Sequence, residues 1–294
     1  MRHIPLRALI SGASSGIGQH CAMALARLGW QVIATVRKEA DATVLRQVGL
    51  TVLIMEATDS ASVQQCATEA LRILGDAPDL LFCNAGVGVP GAVEDLSRDA
   101  LRFQFETNVF GTIELINALL PAMRARGSGR IAINSSILGF AAMPYRGAYN
   151  ASKFALEGFA DTLRQELIGS NIEVGLIEPG PITSRFRPNA EAQFDRWIKP
   201  EQSFHRLAYA AMKVRLAKPA GKAAPFTLGP EAVLDALLAF AKARKPKARY
   251  AVTTPTKVFW YLKRILPTVL LDRICLKASG DEPGYAYGRK HPEA

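Results

Sequence analysis

The stretch Ser11-Gly12-Ala13-Ser14-Ser15-Gly16-Ile17-Gly18 constrains this chain more than any other. It lies between Arg7–Ser11, an apolar run of strand length, and an apolar helical stretch from about Ile17 to Leu28. Glycine lets the backbone turn sharply from strand into helix and lets a ligand approach the main chain closely. The turn also gathers unpaired N–H groups at the positive end of a helix dipole, which suits a phosphate. Further apolar strand candidates follow at about 31–36, 51–55 and 79–83, alternating with helical patterns to about residue 254. That alternation implies a parallel sheet with helices on both faces. In 294 residues, 49% of them hydrophobic, one large α/β domain is expected.

The end of the second strand bears on the ligand. A carboxylate there would hold a ribose 2′-OH and repel a 2′-phosphate. This chain has Val36-Arg37-Lys38 instead, two cations and no acid. That favours NADP over NAD. The fourth strand ends in Asn84-Ala85-Gly86, small residues that leave room for a flat ligand against backbone.

A third group lies further on, at Ser136, Tyr149 and Lys153. Tyrosine and lysine four apart share one helix face. An ammonium about 4 Å from a phenolate, at an effective dielectric near 20, is worth about 4 kcal/mol. That is about three pKa units, enough to bring a phenol from ~10 towards ~7. Such a tyrosine exchanges protons at neutral pH. A serine hydroxyl beside it holds a carbonyl or alcohol oxygen. Taken alone the Tyr-x-x-x-Lys spacing is common on solvated helices; it gains weight from the glycine loop upstream.

Together these residues resemble the short-chain dehydrogenase/reductase superfamily, over about residues 6–254. Residues 11–18 match its cofactor motif, with Ser11 where threonine is usual. Asn84-Ala85-Gly86 matches its Asn-Ala-Gly segment. Asn108, Ser136, Tyr149 and Lys153 match its catalytic tetrad. Pro179-Gly180 with Ser184 matches its Pro-Gly-x-x-x-Thr segment. The resemblance implies a Rossmann-type doubly wound sheet and an NADP(H)-dependent interconversion of alcohol and carbonyl. It implies cofactor contacts from Gly12, Ser14, Ser15, Gly16, Ile17, Gly18, Arg37, Lys38, Asn84, Ala85, Gly86, Pro179, Gly180, Ile182 and Ser184, and from Tyr149 and Lys153. Adenine contact falls on Glu56, where aspartate is commoner, and on Ala57. Ser136 would hold the substrate oxygen, Tyr149 would protonate it, Lys153 would tune Tyr149, and Asn108 would anchor a water relaying protons to Lys153. The alternative is a sensor or scaffold that binds NADP without turnover; the presence of both Tyr149 and Lys153 argues against it.

Residues 184–229 depart from the alternation and read as a substrate lid. Phe186, Phe194, Trp197, Phe204, His205, Tyr209 and Met212 there, with Ile137, Leu138, Phe140, Met143 and Tyr145, suggest an apolar substrate such as a steroid, retinoid or long-chain aldehyde. The same side chains could instead pack the lid onto the body. Residues 255–294 form a basic extension, in which 256–277 reads as two short amphipathic helices broken at Pro267. It packs on its own domain, makes a contact between copies of the chain, or lies on a membrane surface. The extended tail looks like that of the retinol-, hydroxysteroid- and aldehyde-acting branch of the superfamily.

The net charge of +10 comes with no base-reading motif, so nucleic acid is not expected as a partner. Four cysteines without a C-x-x-C pair, and scattered His3, His20, His205 and His291, give no metal constellation. The cysteines read as buried thiols of a reducing compartment. Strand one starts almost at once, leaving no room before it for a signal peptide. A cytoplasmic enzyme is expected, with peripheral membrane contact as an open alternative.

Overall fold

The computed structural model describes residues 6–217, 225–280 and 282–288. His3, His291, lid positions 218–224 and tail positions 281 and 289–294 lie outside them. The elements are β1 (Arg7–Ile10), α1 (Gly16–Arg27), β2 (Gln31–Val36), α2 (Glu39–Gln47), β3 (Thr51–Ile54), α3 (Ser60–Leu74), β4 (Leu80–Cys83), α4 (Arg98–Phe105), α5 (Gly111–Arg126), β5 (Gly129–Asn134), α6 (Gly147–Glu166) and β6 (Ile172–Glu178). They continue with α7 (Phe186–Trp197), α8 (Arg206–Leu216), α9 (Glu231–Lys242), β7 (Arg249–Ala251), α10 (Thr254–Ile265), α11 (Thr268–Ala278) and α12 (Pro283–Ala286).

The strands form one parallel sheet in the order β3-β2-β1-β4-β5-β6-β7. Side chains alternate between its faces, so each strand feeds two cores. Leu9, Leu81 and Ile131 pack with α3, α5 and α6 through Val63, Leu119 and Leu156. Ala8, Ile10 and Phe82 pack on the other face with α1, α2 and α9 through Leu25, Leu45 and Phe240. This is the doubly wound sheet that the strand–helix alternation implies. Order reverses between β1 and β4, and a ligand crevice is expected outside the carboxyl ends of strands at such a switch point.

At that point the Ser11 hydroxyl accepts from the backbone N–H of Asn84 and of Ala85, both at 3.0 Å. The Asn84 amide donates back to the carbonyls of Ser11 and Gly12. The two loops thus form one unit, and serine serves where threonine is usual because only the hydroxyl is used.

Tail and lid divide their apolar side chains between packing and the cleft. Phe194, Tyr209 and Met212 are fully buried against Val89 and Tyr145, so they hold α7 and α8 to the body. Tyr145 meets His205 Nδ1 at 3.0 Å through its hydroxyl, and Phe140 packs towards the tail. Neither lines the cleft, nor do Trp197, Phe204 and His205, so the cleft's lining does not carry the reading of these five as substrate contacts. The tail is two helices parted at Pro267, whose inner face buries Phe259 and Cys275 against Ile137 and Ala141. No described helix is long and apolar enough to cross a membrane. All four cysteines are unpaired and buried.

One buried polar knot ties β7 to α6. Arg249 donates to Glu157 at 3.1 Å and to Asp161 at 2.7 Å, and its Nε lies 3.2 Å from Glu178 Oε1 without hydrogen-bond geometry. Lys153, Glu157 and Asp161, four apart, share the face of α6 that this arginine reaches.

Candidate active site

Gly12 and Gly16 sit at φ +69° and +59°, where a side chain is strained, and both turn the loop after β1. A Cβ on Gly12 would come within 2.6 Å of Ala85 Cα, and one on Gly18 within 2.3 Å of the Gly12 carbonyl oxygen. Gly18 is therefore needed for packing; it does not line the cleft.

The cleft has a volume of about 880 Å³. Gly12, Ser14, Ser15, Gly16, Ile17, Arg37 and Ala57 line it, as do Asn84, Ala85 and Gly86 and Pro179, Gly180, Ile182 and Ser184. Ser136, Tyr149 and Lys153 line it as well. Lys38, Glu56 and Asn108 do not. Lys38 is exposed at the N-terminal boundary of α2, while the Glu56 carboxylate accepts from the Thr58 N–H and hydroxyl at 3.1 Å. Glu56, expected to meet adenine, is thus not among the lining residues, whereas its neighbours Met55 and Ala57 are.

Asn108 is fully buried in a single turn of π-helix, Glu106–Phe110. Its Oδ1 accepts from Val87 N at 2.8 Å, and Nδ2 donates to Val87 O and Ser152 Oγ, each at 3.0 Å. Both amide hydrogens are spent on the protein, so the side chain clamps the loop after β4. A water held at Asn108 would have to use its backbone. Irregular π turns of this kind are frequent at functional sites.

Tyr149 stands half-buried on the first turn of α6, its ring 5.2 Å from that of Phe186. Lys153 Nζ lies 5.6 Å over the Tyr149 ring and donates to the Asn134 carbonyl at 2.6 Å. Ser136 Oγ accepts from Leu138 N at 3.1 Å. Charge tuning here differs from the sequence expectation of a phenol near 7. Burial pushes the Tyr149 phenol up to about 12, against the Ser136 hydroxyl, which lowers it. Burial also pushes Lys153 down to about 8, against the Glu157 charge one turn on. Desolvation is the largest influence on both groups, and spacing alone does not reveal it.

Several lining residues were not singled out from the sequence: Asn134, Arg146, Arg187 and Arg215 from the body and lid, and Val258 and Phe259 from the tail. Nothing in their local pattern marks them; only the tertiary fold brings the tail to the cleft. A nicotinamide nucleotide fits this lining. The glycine loop offers bare backbone where any Cβ would intrude, and the buried Asn134 Oδ1 lacks a partner. Among the described residues no group of His, Cys, Asp and Glu is placed to hold a metal.

A model of the short chain dehydrogenase family matches residues 7–194. The chain is 41% identical over 267 residues to "Uncharacterized oxidoreductase YbbO" of Escherichia coli, covering 90% of this chain and 92% of that one. It is 34% identical over 262 residues to human 17-beta-hydroxysteroid dehydrogenase type 1, covering 83% of this chain and 76% of the relative. Among solved structures, a short chain dehydrogenase/reductase from Burkholderia phymatum in complex with NAD superposes with a TM-score of 0.74 at 25% identity, covering 90% and 94%. A loop built for phosphate, a Ser/Tyr/Lys group beside it and these similarities agree: the chain belongs to the short-chain dehydrogenase/reductase superfamily of nicotinamide-dependent oxidoreductases.

Proposed function

We propose that this protein reduces an aldehyde or ketone on a largely apolar substrate to the alcohol, using NADPH. When bound, the nicotinamide supplies the hydride. The observation that carries the reading is that Ser136, Tyr149 and Lys153 line one cleft together with Ile137, Leu138, Met143, Phe186 and Phe259. Ser136 donates to the carbonyl oxygen and polarises it. Tyr149 protonates that oxygen as negative charge grows on it, so its help is concentrated in the transition state. A phenol held up near 12 is fully protonated at neutral pH, the form a donor needs. Lys153 balances the charge left on the phenolate as the proton leaves.

NADPH is favoured because Arg37 lines the cleft at the end of β2 and no acid stands there. Charge-assisted hydrogen bonds are worth about 1.5–3 kcal/mol. Arg37→Ala is expected to weaken NADPH about tenfold to a hundredfold and to spare NADH, as read by calorimetric titration. Equal dissociation constants for the two cofactors in the unaltered protein would overturn this reading.

We further propose that the outer face of the tail rests on an anionic membrane surface. Ile265 and Val269 are 72% and 64% exposed, and Lys257, Arg273 and Lys277 are exposed on the same helix pair. Apolar side chains flanked by cations suit a headgroup interface. The protein should sediment with phosphatidylserine vesicles, less so as salt rises. Ile265→Asp with Val269→Asp should remove that binding without lowering thermal stability. Equal sedimentation of the double variant would rule out this face.

A further inference from the structure

Three arginines gather at the cleft. Arg146 caps the start of α6, three residues before Tyr149; Arg187 follows Phe186 in α7; Arg215 closes α8. All three line the cleft. They are near enough to feel one another. Burial and then the Arg215 charge lower Arg146 to about 10, and the same two causes lower Arg187.

Among the described residues one carboxylate answers them. Glu282, its side chain only 4% exposed, accepts from Arg215 Nε and lies 3.4 Å from Arg146 Nη1. Three positive groups therefore face one negative group. No described acid pairs with Arg187, and its Nη1 is buried with no hydrogen-bond partner. A buried, unpaired edge of a charged group is costly and persists where a ligand completes it. In the reading above the cofactor's phosphates fall to the loop after β1 and to Arg37 after β2, and these three arginines come from other elements, α6, α7 and α8.

We propose that Arg146, Arg187 and Arg215 form a subsite for an anionic oxyacid group of the substrate. The substrate is then an amphiphile: a reacting carbonyl or alcohol, an apolar body along Leu138, Met143, Phe186 and Phe259, and a carboxylate or phosphate apart from the reacting carbon. Guanidinium groups suit such oxyanions because their paired N–H groups match two oxygens at once. Arg187 supplies the free edge, while Glu282 holds Arg146 and Arg215 in place. The inference rests on the alcohol–carbonyl reading above and narrows its substrate class.

The test has two arms. In the first, azelaic semialdehyde, its methyl ester and nonanal are compared as substrates with NADPH. The free acid should exceed the ester in kcat/KM by about tenfold or more, a typical gain for one charged hydrogen bond. Arg187→Gln should collapse the acid-to-ester ratio towards one, and Arg187→Lys should restore part of it. A ratio near one in the unaltered protein, or a ratio unmoved by Arg187→Gln in a variant that melts normally, overturns the proposal. In the second arm, octanoate, octyl phosphate and octanol are titrated calorimetrically into the NADP⁺-loaded protein. One of the anions should bind at least tenfold more tightly than octanol, and the tighter one identifies the headgroup. Octanol binding as well as either anion overturns the subsite. If no aldehyde is turned over, the alcohol–carbonyl reading fails by itself, and this second arm still decides the subsite.

Discussion

Tyr149→Phe should lose turnover by about 10²–10⁴-fold while NADPH binding stays nearly intact, since general acid catalysis contributes that much. The change removes one hydroxyl and keeps the ring against Phe186 and under Lys153. Packing and fold are therefore retained, and only the transferable proton is lost. Turnover is followed by NADPH oxidation with an aldehyde, and binding by calorimetry. A variant that keeps more than a tenth of its activity would mean that another group supplies the proton. A variant that also loses cofactor binding would mean that Tyr149 serves mainly to hold the nucleotide.

Arg249→Met should produce a large loss of stability at pH 8, about 3 kcal/mol, because there Glu157 and the ionising Glu178 are left as buried charge without their cation. Arg249 faces Glu157, Asp161 and Glu178, and Glu178 is fully buried. The deficit should depend on pH. Burial, with help from the Glu157 charge and against Arg249, pushes the Glu178 carboxyl from its ordinary 4.5 up to about 8. Between those values the folded chain holds a proton that the unfolded chain has released. The native state then binds more protons, so this group's contribution falls as pH rises through the window and is fully present below it. Taking away Arg249 removes the influence that opposes the shift. The loss on urea denaturation should be greater at pH 8 than at pH 5. A loss below about 1 kcal/mol, or one equal at both pH values, would contradict this account of the knot.

Local patterns and ligand-facing motifs were legible in the sequence; their electrostatics and long-range walls were not. The glycine loop, the alternating strands and the break at Pro267 follow from backbone chemistry within a few residues. Lid aromatics were ambiguous because burial in a core and burial against a ligand demand the same side chains. Phe194 and Tyr209 went to the core, Phe186 to the cleft. The motif match singles out Asn108, yet its use of both amide hydrogens depends on Val87 and Ser152, far away in sequence. The upward shift of Tyr149 depends on desolvation, a property of the whole enclosure rather than of a four-residue spacing.

The tail contributes Val258 and Phe259 to a cleft whose glycine loop, Arg37 and Asn84–Gly86 segment come from the first third of the chain. The last wall of the cleft and its first loop are thereby written far apart in one gene product. A sequence change in α10 or α11 can retune which molecules enter without touching the loop that grips the nucleotide. During synthesis, the dinucleotide groove is complete in sequence long before the chamber beside it has its last wall. A chain cut after β7 would thus be a nucleotide binder with an open side, and the selectivity of such a fragment would be coarse.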